Sequence, residues 1–448
     1  MRLLRLLKRD LHKETCTWVE QGLIDEAQAV AICREYGIDY HDQAQRSFGY
    51  YVLIALGYLF IGLAVITLIG ENWENIPRAV RMGGLIAMTL LANGIGIVTW
   101  QRQKPAAAVV WFLLGGLMYG ASIMLIAQIY HIGEHYPDGI FWWAFGVLPV
   151  ALLLRSNLLM ALTAVLAYLW FFVEAGLDFY PAFFPVFLVA LAWQNLRVKP
   201  STLLFLVLMA GGLMVIEYSS AWILGGQAGF DFRPENVFIG AAMLAAFHGL
   251  AKLLGQRTEH HLVDYGVALQ IWTLRGVILG LFVFSFEEPW HALLRATWDT
   301  TELNTGLVMV PSVIFTVLAL ALAYLATPSI KKNVSTLAYV VIYFVFLIAV
   351  LMSRVEYNLE WQLMALQVFD NVVLVAIGIG LIIQGIRGGV THYFYLGVFT
   401  ILLTGLLRYI DLVGDYIGAA MLFAVFALIL LASARYWKNH VAKTGAVS

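Results

Sequence analysis

The side chains best suited to chemistry gather in one short stretch, between the third and fourth apolar segments. Gln128, Tyr130, His131, His135 and Asp138 lie there within eleven residues, and we call them the polar cluster. Histidine changes its charge near neutral pH, which suits proton coupling or pH sensing. The alternative is a belt of aromatic and polar residues at a membrane–water boundary. Gln128 favours the first interpretation because it lies about one helical turn deeper than a belt requires.

A second polar and aromatic group follows the first apolar segment. Asn72 and Trp73, between Glu71 and Glu74, are predicted to lie on the same side of the membrane as the polar cluster. Together the two groups would line one mouth of a path into the membrane, with Gln128, His131 and Asp138 as an outer gate or proton-linked group. A tight turn between two helices, anchored by a tryptophan, is the simpler explanation.

Two ionisable residues are predicted to lie within apolar segments, Glu217 and Arg275. A charge at membrane depth is costly, so such residues need a partner or water and often mark function. The two could pair, but counting along the segments puts Glu217 nearer the outer surface and Arg275 nearer the middle. Arg275 can instead extend its charged end toward a surface.

One spacing in the polar cluster matches a zinc motif. His131, Glu134 and His135 follow the His-x-x-Glu-His pattern of one class of zinc peptidases, which needs a continuous helix to bring both histidines to one face. Gly133 and Pro137 interrupt any such helix, and no third ligand is evident. Nucleotide-binding loops and serine-hydrolase motifs are also missing from the sequence. We therefore expect no catalytic, metal-binding or cofactor-binding residues.

The composition determines the class of protein that must position these residues. Of the 448 residues, 61% are hydrophobic and 12% are charged, and the formal net charge is −1. A soluble domain is about 45–50% apolar and about 25% charged. These values exclude a soluble globule and a disordered chain, and the lack of basic charge argues against nucleic-acid binding. The sequence predicts an all-α polytopic membrane protein.

About fourteen segments have the length and apolarity of membrane spans. They lie near 49–70, 79–100, 106–127, 140–154, 157–174, 179–196, 202–224, 236–254, 267–286, 307–327, 336–353, 369–386, 393–410 and 416–434. With the N-terminus in the cytosol, 20 of the 27 Lys and Arg residues fall on the inner side. The outer connections carry acids, Glu174 and Asp178 among them, and the longest runs near 287–306. This distribution follows the positive-inside rule and predicts that both termini are cytosolic.

Three parts are predicted along the chain: a cytosolic amphipathic helical hairpin at 1–48, a transmembrane bundle at 49–434 and a short basic tail at 435–448. Gly22 is expected to end the first helix of the hairpin, and Asp25 with Gln28 resembles a capping box that begins the second. The hairpin would bury Trp18, Leu23 and Ile32 against itself. A basic helix lying on anionic lipid, or a docking site for a partner, is the functional alternative. Cys16 and Cys33, the only cysteines, are expected to be small apolar residues of this hairpin on a reduced cytosolic face.

Gly116 and Gly120, spaced four apart, are expected to let another helix approach the third span closely.

Several distinct short motifs lie within about the first 160 residues. They are Trp18-Val19-x-x-Gly22-Leu23-Ile24, Glu71-Asn72-Trp73, Gly120-Ala121-Ser122-Ile123, Gln128-Ile129-Tyr130-His131 and Arg155-Ser156. This set resembles a bacterial family of predicted membrane proteins known as domain of unknown function 2157. The family usually has a small residue where Glu71 stands. The resemblance implies an inner-membrane protein with a cytosolic N-terminal hairpin, and it implies no activity.

Three classes of function are open to such a chain. Passage of a small solute or lipid-linked group through a polar cavity is favoured by many spans, short loops and buried polar residues. A sensor, scaffold or assembly factor that acts through the cytosolic hairpin is the alternative. A membrane-embedded enzyme is the least favoured. The expected partners are the lipid bilayer and either a membrane protein or a second copy of the chain, with no nucleic acid. The expected location is the bacterial inner membrane.

Overall fold

The structure is a computed structural model that describes residues 15–35, 60, 76–131, 135–226, 229–295, 303–326, 340–345, 347, 359–388 and 391–412. Over these ranges the chain is helical and contains no strand. Seven helices are long and apolar enough to cross a membrane, judged by length and composition. The predicted all-α membrane fold is therefore confirmed. The expected spans near 49–70 and 416–434 lie outside the described residues apart from position 60, so the count of fourteen stays a prediction.

In the first of two compact units, Met1–Gly83, the described part is a helical hairpin. Residues 15–20 are helical, and helix α1 spans Glu26–Glu35. Gly22 lies between them with φ +71°, in the left-handed region that favours glycine. The Gln28 N–H donates to Asp25 Oδ1 at 2.7 Å, and the Asp25 N–H donates to Gln28 Oε1 at 3.0 Å. Both the helix end and the capping box are as the sequence predicts.

The core of this hairpin differs from the prediction, since Trp18 and Ile32 are only half-buried and Leu23 is exposed. Ala29 and Cys33 are buried, while Leu23, which was expected in the core, is 67% exposed. The reason is local. The Leu23 N–H donates to the Trp18 carbonyl at 2.9 Å and so fixes Leu23 in the turn, beyond the two helices.

The second unit, Gly84–Ser448, contains most of the membrane helices. The remaining helices are α2 (Arg78–Gln101), α3 (Pro105–Tyr130), α4 (Pro137–Leu153), α5 (Asn157–Gly176), α6 (Phe184–Trp193, continued by a π-helical turn at Gln194–Val198), α7 (Thr202–Gly225), α8 (Pro234–Gly255), α9 (His260–Phe284), α10 (Glu287–Arg295), α11 (Leu303–Ala326), α12 (Leu359–Gly388) and α13 (Thr391–Leu412).

Serine caps and first-turn prolines determine where several of these helices begin. Ser156 and Ser201 precede α5 and α7, and each side chain accepts a hydrogen bond from a backbone N–H three residues on. Pro105, Pro137 and Pro234 are the first residues of α3, α4 and α8, where the missing N–H of proline costs nothing.

Helices α3 and α4 pack closely at the glycines that the sequence singled out. The indole N–H of Trp143 on α4 donates to the Gly116 carbonyl at 2.8 Å. A Cβ atom placed on Gly120 would lie 2.0 Å from the Trp143 ring, so only glycine leaves room for it. Helix α2 joins the same group because Thr89 Oγ1 lies 3.0 Å from Ser122 Oγ of α3. The predicted close approach is confirmed.

Two regions differ from the expected topology. The outer connection predicted near 287–306 contains the amphipathic helix α10, which buries Trp290 and Leu293 and leaves Glu287 toward solvent. Helix α12 begins at Leu359 and not near position 369. A count of apolar residues misses the start of both helices, because each has an acidic residue, Glu287 or Glu360, in its first turn. Acidic residues are favourable there because they interact with the helix dipole.

Candidate functional site

The polar cluster divides at the end of α3. The helix ends at Tyr130, and His131 follows with φ +54° in the left-handed region. Its ring Nδ1 lies 2.8 Å from the Gln128 backbone oxygen, so His131 binds the end of its own helix. The side chains of Gln128 and Tyr130 are exposed. Because His131 leaves the helix, it does not form the continuous helical zinc motif. Asn72 and Trp73 lie outside the described residues, and a shared mouth stays a prediction.

The other two members of the polar cluster meet a carboxylate of α5. His135 Nε2 lies 2.7 Å from Glu174 Oε2, and the Trp170 indole N–H donates to Glu174 Oε1 at 2.9 Å. The ring of Phe179 packs edge-on against His135, with 4.6 Å between the ring centres. Glu174 was expected in an outer connection. It lies instead in the last turn of α5 and is only 6% exposed.

His135, Asp138 and Glu174 form what we call the histidine–carboxylate cluster. One ligand atom from each lies within 4.8 Å of the other two, which is close enough to bind one divalent cation. However, both oxygens of Glu174 already pair with His135 and Trp170, and Asp138 is exposed. The hydrogen bonds within the protein therefore account for Glu174 without a metal.

A different environment surrounds Glu217, on the wall of a cavity of about 390 Å³. Helices α7, α8, α9, α10 and α12, with the helical residues 340–345, enclose it. We call it the α7–α12 cavity. Most of its wall is apolar, and it also contains the side chains of Glu217, Asn236 and Asp370. The sequence analysis identified only Glu217 of these three.

Hydrogen bonds on one side hold Glu217 in place. The Asn236 amide donates to Glu217 Oε2 at 3.1 Å, and it also lies 2.6 Å from Ser220 Oγ. A Cβ atom on Gly240 would lie 2.8 Å from Glu217 Oε1, so the glycine makes room for the carboxylate. Glu217 lies eight residues before the end of α7, about 12 Å along the helix axis. The carboxylate is therefore within the membrane-spanning part of α7 and faces the cavity.

Asp370 is the second acid of the cavity, and it has fewer hydrogen-bond partners than Glu217. It is fully buried, and neither carboxylate oxygen has a hydrogen-bond partner within the described ranges. Arg408 of α13 acts on it electrostatically without donating a hydrogen bond to it. Such a buried acceptor costs about 1–3 kcal/mol when it is left unsatisfied. A group of this kind needs an explanation, and a cavity at its side suggests a ligand.

Arg275 does not pair with Glu217. Its side chain is exposed on α9, and the guanidinium carbon lies 5.2 Å from the centre of the Trp272 ring. Glu217 instead faces Asn236. Arg275 therefore stacks on an aromatic ring of its own helix, and the residues of α9 that face the cavity are Gly276, Val277 and Gly280 among others.

The sequence could have identified Asp370 had α12 been assigned its full length. The expected span near 369–386 put this acid at a membrane surface, where it attracts no attention. The apolar part of α12 begins at Trp361, which places Asp370 nine residues inside, about 14 Å along the axis. The signal available was the run Trp361, Leu363, Met364 and Leu366, which continues the apolar pattern upstream.

These helices define the class: a multi-pass, all-α membrane protein. Residues 16–160 match the model of a family described as "Predicted membrane protein (DUF2157)", and the resemblance expected from the motifs is confirmed over those residues. The comparisons with curated proteins and with solved structures gave no match. The match covers the hairpin and the helices up to the start of α5. The α7–α12 cavity lies beyond it, and its role must be argued from its own chemistry.

Proposed function

We propose that this protein passes a small solute across the membrane, and that the α7–α12 cavity is part of the path. The observation that supports the proposal is a cavity of about 390 Å³ beside two carboxyl side chains of membrane-spanning helices, the buried Asp370 and the half-buried Glu217. Binding pockets for small molecules occupy about 300–1,000 Å³ and combine a mostly apolar wall with a few polar groups. Acids inside membrane helices are characteristic of ion and substrate pathways.

The shape of the wall on α9 also supports this role. Gly276 and Gly280 face the cavity one turn apart, and a Cβ atom on Gly280 would meet nothing within 4 Å. Glycine lowers helix stability by about 0.5–1 kcal/mol relative to alanine. A pair of glycines at a membrane helix surface normally admits a neighbouring helix. Gly280 is exposed, and the open space beside it means that the missing side chain leaves the open side of the cavity unobstructed.

The basic inner segments support an orientation with both termini in the cytosol, in the bacterial inner membrane. In this orientation α7 runs outward, and Glu217 lies in the outer half of the membrane. The polar cluster and the histidine–carboxylate cluster then lie at the outer ends of α3 and α5. Asp138, one of the three expected gate residues, would then lie on this outer side beside His135 and Glu174.

Cysteine labelling tests whether water reaches the cavity. In a Cys16→Ser, Cys33→Ser background, one cysteine replaces Gly280 and, in a matched variant, its neighbour Leu279, which is 66% exposed on the lipid-facing side of α9. We expect a membrane-impermeant maleimide to label Gly280→Cys from at least one side. Leu279→Cys should stay unlabelled, because a thiol in lipid does not ionise. Equal lack of labelling at both positions, from both sides, would contradict the proposal.

A scaffold or sensor role is the second candidate, and the exposed Leu23 at the tip of the hairpin favours it. An apolar side chain held outward by the turn is suited to contact a partner. Complementation of a deletion strain separates the two candidates. Solute passage predicts that Gly280→Leu fails and Leu23→Asp functions, whereas a scaffold predicts the reverse.

A further inference from the structure

The charge of the α7–α12 cavity has one sign. Two acids, Glu217 and Asp370, contribute to the wall, and no Lys, Arg or His is among the described residues that line it. A carboxyl group in an apolar cavity either stays protonated or, when it is ionised, requires a positive charge close by. Arg408 acts on Asp370 from α13, but its guanidinium lies over the Phe286 ring at 5.5 Å and does not line the cavity.

Asp370 is a second, independent observation that points to a ligand. Its two oxygens are fully buried and have no hydrogen-bond donor in the described part of the chain. Glu217 contrasts with it, since one of its oxygens accepts from Asn236. The cavity therefore borders a carboxyl group that no donor of the described residues satisfies, and a ligand reaches its covered oxygens after a small movement of the wall.

Aromatic rings make up part of that wall. Phe238, Phe284, Trp290 and Tyr343 all line the cavity. The faces of such rings attract cations that come within about 6 Å, and they are particularly suited to quaternary ammonium groups. The Trp290 indole N–H donates to the Phe284 carbonyl at 2.6 Å, which fixes the ring in the wall.

We infer that the α7–α12 cavity binds a monovalent organic cation with an apolar body, whose charge lies at Asp370 while its apolar part contacts the aromatic wall. This inference rests on the proposed function and specifies its substrate class. Glu217, held by Asn236, is a second carboxylate near the path of the cation. An anion would meet two acids without a compensating base on the wall, and a fully apolar solute would leave Asp370 unsatisfied.

Calorimetric titration of the full-length protein in detergent micelles tests the inference. The probes are tetraphenylphosphonium, the smaller benzyltrimethylammonium, and tetraphenylborate, an anion of the same shape as the first. We expect saturable binding of at least one cation and no competition from the anion. Asp370→Asn should weaken cation binding by about tenfold or more, because it removes a charge-assisted contact. Glu259→Gln removes an exposed acid that does not line the cavity and should leave binding unchanged.

Three further variants keep the test decisive. Gly280→Leu should abolish binding by filling the cavity, and Gly280→Ala should not, because it adds one methyl group into open space. Glu217→Gln replaces Asp370→Asn if the latter does not give a monodisperse protein. The inference is wrong if neither cation binds, if Asp370→Asn and Glu217→Gln both bind as wild type does, or if the anion competes equally.

The outcomes separate this inference from the proposed function. If Gly280→Cys is labelled from water and neither cation binds, the cavity is a path for another solute and only the inference fails. If a cation binds and Gly280→Cys is inert from both sides, the site is a closed binding site. In that case the proposal of solute passage fails.

Discussion

Glu174 and Asp370 are both buried carboxyl residues of membrane helices, but they differ in their hydrogen-bond partners. Glu174 is 6% exposed, and its two oxygens pair with His135 and Trp170. Asp370 is fully buried, and both of its oxygens lack a donor among the residues that the structure describes. Burial alone therefore does not identify a functional acid. The useful criterion is whether the surrounding protein satisfies the group.

The glycines of the two regions show the same contrast. The Trp143 ring occupies the space beside Gly120 of α3, so the missing side chain of this glycine allows close helix packing. Gly280 of α9 is exposed and lines the cavity, and a Cβ atom there would meet nothing within 4 Å. The region around α3–α5 thus has the contacts of a packed scaffold, whereas the region around α7–α12 leaves space beside its helices.

The largest effect is expected from Glu174→Ala. Removal of the carboxylate leaves the Trp170 N–H and the His135 ring nitrogen without their partner, which should lower the free energy of unfolding by about 2–3 kcal/mol. Unfolding of the purified protein in micelles, followed by tryptophan fluorescence, measures this change. Glu174→Gln keeps an acceptor for Trp170 and should lose less than half as much. An unchanged midpoint for Glu174→Ala would mean that the cluster does not stabilise the fold.

Alanine at the two glycines should have effects of opposite sign. Gly120→Ala should destabilise the protein by about 1–3 kcal/mol, because the Trp143 ring must move. Gly280→Ala should stabilise it by up to about 1 kcal/mol, because a helix gains from alanine and no atom obstructs the methyl group. The same unfolding measurement applied to both variants checks the signs. Destabilisation by Gly280→Ala would show that the cavity is smaller than its wall indicates.

The sequence predicted most of the scaffold and little of the binding site, for a physical reason. Helix ends follow from local interactions, so Gly22 and the Asp25–Gln28 capping box could be identified from neighbouring residues. Close helix packing likewise followed from the Gly116 and Gly120 spacing. The meeting of His135 with Glu174 depends on how α4 and α5 pack over 39 residues of sequence, which no local pattern specifies.

The cavity was harder to predict because its polar members lie near expected segment ends. Asn236 and Asp370 were the first or second residues of predicted spans, and there a polar residue is unremarkable. Helix α12 begins ten residues earlier in the structure, which brings Asp370 inside, whereas Asn236 stays in the first turn of α8 and faces Glu217. Helix α10 closes one side with Trp290 and Leu293, and its acidic first turn resembles a loop when only apolar residues are counted.

A smaller effect is expected where polar groups of the packed region pair across helices. Thr89 Oγ1 and Ser122 Oγ lie 3.0 Å apart, and each hydroxyl also has a backbone acceptor in its own helix. The interhelical contact should therefore contribute only about 0.6 kcal/mol, as such contacts do in membrane proteins. A double-mutant cycle with Thr89→Val and Ser122→Ala measures this coupling directly. A coupling near zero would limit the stabilisation between α2 and α3 to apolar packing.

The smallest change in stability is expected at the acid on which the comparison most depends. Asp370→Leu removes a buried carboxyl that has no donor in the described structure, and its side chain can extend into the cavity, so stability should stay within about 0.5 kcal/mol of wild type or increase. The unfolding measurement used for Glu174→Ala gives the value under identical conditions. If Asp370→Leu destabilises the protein as strongly as Glu174→Ala, then interactions within the protein, such as that with Arg408, hold Asp370, and it is a structural residue like Glu174. If stability is retained while cation binding is lost, the unsatisfied carboxylate serves the ligand and not the fold.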